Sequence, residues 1–170
     1  MGSPAVMKKQ NSIDAFLYDI EPFFHGRLVS YADVGANCGA TFEAVARSEL
    51  ALNRVLLLEA NQRVYAKLEK VAAIHTTIPD LRWQNVAVSD VVGSVRIKDM
   101  NDMSAIISSI DADESDWGTE PPQDGFFDVE AKPFDDLIEF FPENRVSIMK
   151  IDVEGHELAV LKGAKKALSE

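Results

Sequence analysis

Residues 27–45 read RLVSYADVGANCGATFEAV, and the order of residue types within them decides the fold. An apolar run closing at Val34 predicts a strand, and Phe42, Val45 and Ala46 at helical spacing predict a helix starting near Thr41. Between the two lies D-x-G-x-N-x-G, formed by Asp33, Gly35, Asn37 and Gly39. The glycines permit a tight turn and close backbone approach, and asparagine is the side-chain-bearing residue that best tolerates positive φ. The stretch is therefore a glycine loop between strand and helix, distinct from the G-x-G-x-x-G of dinucleotide enzymes.

Working outward, residues 11–23 (NSIDAFLYDIEPF) place Ile13, Phe16, Leu17 and Ile20 at helical spacing behind Ser12, with Pro22 expected to end the helix. Residues 54–60 (RVLLLEA) are nearly all apolar, the pattern of a strand covered on both faces. Residues 61–73 predict a helix with Val64, Leu68 and Val71 on one face, 81–88 (LRWQNVAV) a strand, and 93–100 (GSVRIKDM) a strand returning beside it. Residues 101–125 are acidic, contain Pro121 and Pro122 and show no lasting period, so a long loop or lid is expected. Then come a short strand (FFDVEAK, 126–132), a helix opened by Pro133 (133–141), a buried strand (VSIMKIDV, 146–153) and a final helix. That last helix, 157–170, would put Leu158, Leu161, Ala164 and Leu168 on one face. Strands alternating with helices imply an α/β fold with a doubly wound, mostly parallel sheet. Ligands of such sheets bind beyond the carboxyl ends of the strands, which is where Asp33 to Gly39 falls.

Composition excludes several classes. The 170 residues suffice for one well-buried core, divided into an N-terminal helical segment (1–28) and a ligand-binding domain (29–170). No apolar run approaches the ~20 residues of a membrane span, and the first residues lack the apolar core of a signal peptide, so a cytoplasmic protein without membrane contact is expected. The single cysteine, Cys38, forms no internal disulfide and has no basic neighbour to activate it. The net charge is −11, and Asp99 to Asp136 holds twelve acids against one base, Lys132. Such a surface repels phosphate backbones, so no nucleic-acid partner is expected, and the acidic run reads as a solvated loop.

Two acids discriminate among ligands. A pyrophosphate at the loop would be opposed by Asp33, whereas S-adenosylmethionine carries a sulfonium and an ammonium that an acid favours. Glu59, at the end of the second strand, suits paired ribose hydroxyls, which dinucleotides and S-adenosylmethionine share. Each acid alone has a plainer reading as a cap or turn former; their order around the glycine loop favours the cofactor.

YADVGANCGATF (31–42), LLLEAN (56–61), NVAVSDVVGSVRI (85–97), PFDDLIEF (133–140) and above all IMKIDVEGHELAVLKGAKKAL (148–168) resemble the FkbM-type S-adenosylmethionine-dependent methyltransferases. The resemblance implies a class I methyltransferase, Rossmann-like fold and methyl transfer to a hydroxyl oxygen of a sugar, polyketide or other small metabolite. By the same resemblance Asp33, Gly35, Asn37 and Gly39 would line the methionine part of the cofactor, and Glu59 would hold the ribose. Asn85 and Ala87 would flank the adenine and Asp152 would face the reactive methyl. Such sheets have seven strands, so the fold is expected to be shortened at its C-terminal end. The strand 146–153 is then expected at an open sheet edge through which the chain self-associates.

Methyl transfer to a hydroxyl asks for alignment and a base. DVEGHE offers Asp152, Glu154, His156 and Glu157 just past a strand; if that strand stays extended, Asp152 and Glu154 share a face. Either is a candidate catalytic base, while Glu154 and Glu157 would also favour the next helix N-terminus. Hard cations need about six oxygens, so no metal is expected. His25 and His75 read as surface or turn residues, Trp83 and the Phe pairs at 23, 126 and 140 as core, and Trp117 as the aromatic to touch an acceptor. Two other readings stay open: a cofactor-binding fragment without catalysis, and a nicotinamide-dependent oxidoreductase, which Asp33 and the missing dinucleotide motif disfavour.

Overall fold

The computed structural model describes residues 12–100, 103–108, 126–141 and 146–169. The chain begins with α1 (Ser12–Phe24), β1 (Leu28–Val34), α2 (Ala40–Ala46), β2 (Ala51–Glu59), α3 (Gln62–Ala72) and β3 (Asp80–Asn85). It continues through β4 (Ala87–Ser89), β5 (Gly93–Met100), β6 (Met103–Ser108) and β7 (Phe126–Pro133), and closes with β8 (Ile148–Ile151), α4 (Glu157–Gly163) and α5 (Lys165–Leu168). The central sheet is parallel with order β3-β2-β1-β8. Strand order reverses at β1, because β2 and β3 lie on one side of it and β8 on the other.

Period-two alternation puts a core on each face of this sheet. Val29, Tyr31, Val55 and Leu57 meet Leu17 of α1, Phe42 of α2 and Leu68 of α3 on one face. Ala32, Val34, Leu56 and Leu58 meet Val86, Phe134, Ile138 and Val160 on the other. Both layers being covered explains why 55–58 carries no polar residue. Each fully buried leucine there contributes about 1.5–3 kcal/mol through removal from water.

A second, mixed sheet has order β4-β7-β5-β6, β4 and β7 being parallel and β5 antiparallel to both its neighbours. Residues 81–88, expected as one strand, are divided between the two sheets: Asn85 pairs with Glu59, and Ala87 with Ala131. The Asn85 amide donates to the carbonyls of Glu59 (2.8 Å) and Ala60 (2.9 Å), ending β3 and turning the chain at Val86. β5 accordingly does not return beside β3; its neighbours are β6 and β7.

Other local expectations change for identifiable reasons. α1 runs past Pro22 to Phe24 and stops before Gly26, whose φ is +71°. The expected lid contains strand β6, and the rest of 101–125, Trp117 included, lies outside the described residues. Residues 133–141 form two 3-10 turns, Phe134–Asp136 and Ile138–Phe140, instead of one helix. They still bury Phe134, Leu137, Ile138 and Phe141.

The last helix breaks at Ala164, and of the residues expected on one face Leu158, Leu161 and Leu168 are 65%, 43% and 55% exposed whereas Ala164 is buried. Val160 and Gly163 are buried with it. A Cβ at Gly163 would stand 1.9 Å from the Ser89 carbonyl oxygen, so α4 turns its smallest residue to the sheet. Phe23 is exposed, whereas His75 packs edge-on against Phe42 with ring centroids 4.8 Å apart. No helix among the described residues is long and apolar enough to cross a membrane.

Candidate functional site

At the reversal of strand order, beyond the carboxyl ends of β1, β2 and β8, lies an open cleft of ≈ 630 Å³ including its solvent-filled mouth. The β1 turn lends it Gly35 and Asn37, the end of β2 lends Glu59 and Ala60, and Val86, Ala87, Val88 and Ile97 form an apolar wall. Asp152, Val153 and Glu154 close it beyond β8.

The glycine loop takes the backbone shape its residue types predict, with φ of +76° at Gly35, +51° at Asn37 and +91° at Gly39. Gly35 is required twice over, since a Cβ there would also stand 1.9 Å from the Asp152 carbonyl oxygen. The loop is tied to β2 by the amides of Gly35 and Ala36, both donating to the Leu58 carbonyl at 2.9 and 3.0 Å. Gly39 packs away from the cleft against Leu68 and Val71 of α3, and Asn85 braces the loop after β2 from behind.

Glu59 lines the cleft although it is buried. Its Oε2 accepts from the Asn37 amide at 2.8 Å and its Oε1 from the Asn61 amide at 2.7 Å. Each carboxylate oxygen has a further lone pair, able to accept from a diol. Burial pushes its pKa up, and the two amides oppose that shift. Asn61 in turn caps α3, its Oδ1 accepting from the amides of Arg63 and Val64 at 2.9 and 3.3 Å.

Asp33 does not line the cleft. It is 0% exposed, its Oδ2 accepts from the Tyr31 hydroxyl at 2.9 Å, and its Oδ1 faces the Lys150 ammonium at 3.0 Å. The latter contact is an ion pair without a well-directed hydrogen bond. Burial raises the Asp33 pKa and Lys150 opposes this; burial likewise raises that of the Tyr31 phenol, which remains a donor. The charge of Asp33 is thus taken up inside the protein by Lys150, and Asp33 does not select a cationic ligand at the cleft as its position in the sequence predicts.

Lys150 escaped the reading of the sequence, yet its signal was present as a lone cation inside an apolar strand, IMKI. Beyond it the strand stops at Ile151, so Asp152 and Glu154 do not sit on one extended face. Glu154 is the apex of a turn with φ +48°, followed by Gly155 at +97°. The turn is held from outside by His156, whose Nε2 lies 3.1 Å from Ser89 Oγ; burial lowers the His156 pKa against the opposing effects of Asp90 and Glu157. Among the described residues no cluster of His, Cys, Asp and Glu could hold a metal ion.

The parallel sheet, the cleft at its reversal and the glycine loop define a Rossmann-like methyltransferase fold. The solved methyltransferase FkbM from Methylobacillus flagellatus KT shares that fold, with a TM-score of 0.57 at 20% identity over 83% of this chain. The chain spans 30% of the length of that protein. No curated protein sequence matches it. The family described as methyltransferase FkbM domain matches residues 33–170, and the chain belongs to this family.

Proposed function

We propose that this chain is an S-adenosylmethionine-dependent methyltransferase whose acceptor is a hydroxyl oxygen of a small metabolite, sugar or polyketide. Glu59 carries the reading: a buried carboxylate aimed into the cleft, already holding two backbone amides and keeping acceptor positions for a ribose diol. Gly35 offers bare backbone to the methionine part, and Val86, Ala87 and Ile97 give the adenine an apolar wall. When bound, the cofactor supplies a methyl group activated by its sulfonium. The chain aligns the acceptor hydroxyl between the glycine loop and the 152–154 turn, and Asp152 or Glu154, both on the cleft, takes its proton. Asp33 and Gly39 act in this reading through the loop they shape.

Calorimetry with S-adenosylhomocysteine and with NAD tests the cofactor, and a panel of hydroxyl compounds scored for S-adenosylhomocysteine release tests the acceptor. Affinity for NAD alone would remove the reading. A second reading, cofactor binding without transfer, is favoured by one observation: among the described residues β8 pairs only with β1, leaving the Asp152 side of the cleft at a sheet edge. Tight S-adenosylhomocysteine binding with no turnover of any acceptor would favour it.

A further inference from the structure

The polar cluster of buried Tyr31 and Asp33 with partly exposed Lys150 has no direct part in the chemistry above. Lys150 does not line the cleft, yet its ammonium reaches two residues that do. It donates to the Gly35 carbonyl oxygen at 2.6 Å and lies 3.7 Å from Asp152 Oδ2 and 3.0 Å from Asp33 Oδ1. Gly35 and Asp152 meet where the ends of β1 and β8 are pressed together, the Asp152 amide donating to the Val34 carbonyl at 3.0 Å. The planar peptide between Gly35 and Ala36 is held from two directions, its carbonyl by Lys150 and its N–H by Leu58. Fixing that plane also aims the next amide, Asn37 N–H, at Glu59.

We propose that Lys150 is a positioning residue of the cofactor site: its ammonium, balanced by Asp33, ties the Gly35 carbonyl to the Asp152 carboxylate and holds the cleft in its ligand-binding shape. The identity of the ligand rests on the cofactor reading above; the tie itself does not. A counterion role alone would make the cation dispensable once Asp33 is neutral, because a buried pair replaced on both sides is often tolerated.

The test compares the wild type with Lys150→Met and with the double variant Asp33→Asn/Lys150→Met. Thermal stability, S-adenosylhomocysteine affinity by calorimetry and amide hydrogen exchange are measured on each. Lys150→Met should lose both stability and affinity. The double variant should regain most of the stability, while its affinity stays about tenfold or more below wild type, the loss expected when a charged hydrogen bond is removed. Its Ala36 and Asn37 amides should exchange about tenfold faster, with the interior of β2 unchanged. Wild-type affinity in the double variant would overturn the proposal, leaving Lys150 a mere counterion. Lost affinity with unchanged exchange at Ala36 and Asn37 would overturn it too, since Lys150 would then act on the ligand directly. If the wild type itself binds no S-adenosylhomocysteine, the cofactor reading fails and exchange alone decides: faster at Ala36 and Asn37 supports the tie, unchanged refutes it.

Discussion

Asp33 and Lys150 are register partners on the adjacent parallel strands β1 and β8, carboxylate to ammonium 3.0 Å, the acid 0% exposed and the lysine side chain 22%. The asymmetry of burial predicts an asymmetry of mutation. Lys150→Met strands a charge with no access to water and should cost about 3–5 kcal/mol. Asp33→Asn leaves a cation that keeps the Gly35 carbonyl, Asp152 and some solvent, and should cost clearly less. Thermal denaturation of the two variants checks the order; equal or reversed losses would contradict the pairing.

Glu59→Gln should reduce S-adenosylhomocysteine affinity by about tenfold or more, corresponding to roughly 1.5–3 kcal/mol for a hydrogen bond to a charged acceptor. Its pH dependence has a definite sign. Because burial raises the Glu59 pKa above its ordinary 4.5, acidification protonates it in the folded protein above that value, removing acceptor capacity. Affinity should therefore start to fall at a higher pH than an ordinary carboxylate would dictate, and the variant should lose that component. Calorimetry over a pH series shows whether it does.

Glu154 and Gly35 both hold positive φ, of +48° and +76°, with opposite consequences. Glu154→Gly removes left-handed strain from a residue with a side chain and should stabilise the fold by about 1 kcal/mol. Methyl transfer should fall if Glu154 is the base. Gly35→Ala drives a methyl group onto the Asp152 carbonyl and should prevent stable folding. Denaturant titration and turnover, measured on the same samples, separate the two effects.

His156 should make the protein acid-sensitive. Its folded pKa lies below the ordinary 6.5, so the unfolded chain binds the proton first. The neutral form's contribution is complete above pH 6.5 and is lost as pH falls from there towards the folded pKa. His156→Gln should flatten the stability profile across that window, as urea titrations at several pH values would reveal.

β8 pairs on one side only among the described residues, and a strand edge of this kind invites another chain. Self-association that grows with concentration is expected in light scattering. A monodisperse monomer at high concentration, with full S-adenosylhomocysteine binding, would remove this expectation.

The legible parts of the fold are those set by local chemistry. The D-x-G-x-N-x-G loop was readable because only glycine, and asparagine after it, accept positive φ cheaply, and φ there is +76°, +51° and +91°. The central strands were readable because burial on both faces removes polar residues from 55–58. Glu59 was readable as the acid closing the second strand, and it does line the cleft.

What only the tertiary structure decided depends on partners distant along the chain. The same class of residue, an acid at a strand end, has opposite environments at 33 and 59: Glu59 meets backbone amides at the cleft, while Asp33 meets a lysine 117 positions away. Val86 became a crossing between two sheets because Asn85 finds the Glu59 and Ala60 carbonyls. The buried face of α4 was chosen by the close contact of Gly163 with Ser89, against the leucine pattern of the helix itself. Backbone preference and hydrophobic period are properties of a few adjacent residues, so the sequence by itself determined them; the neutralisation of a buried charge and the fit of one element on another require both partners in place, and only the folded chain supplies them.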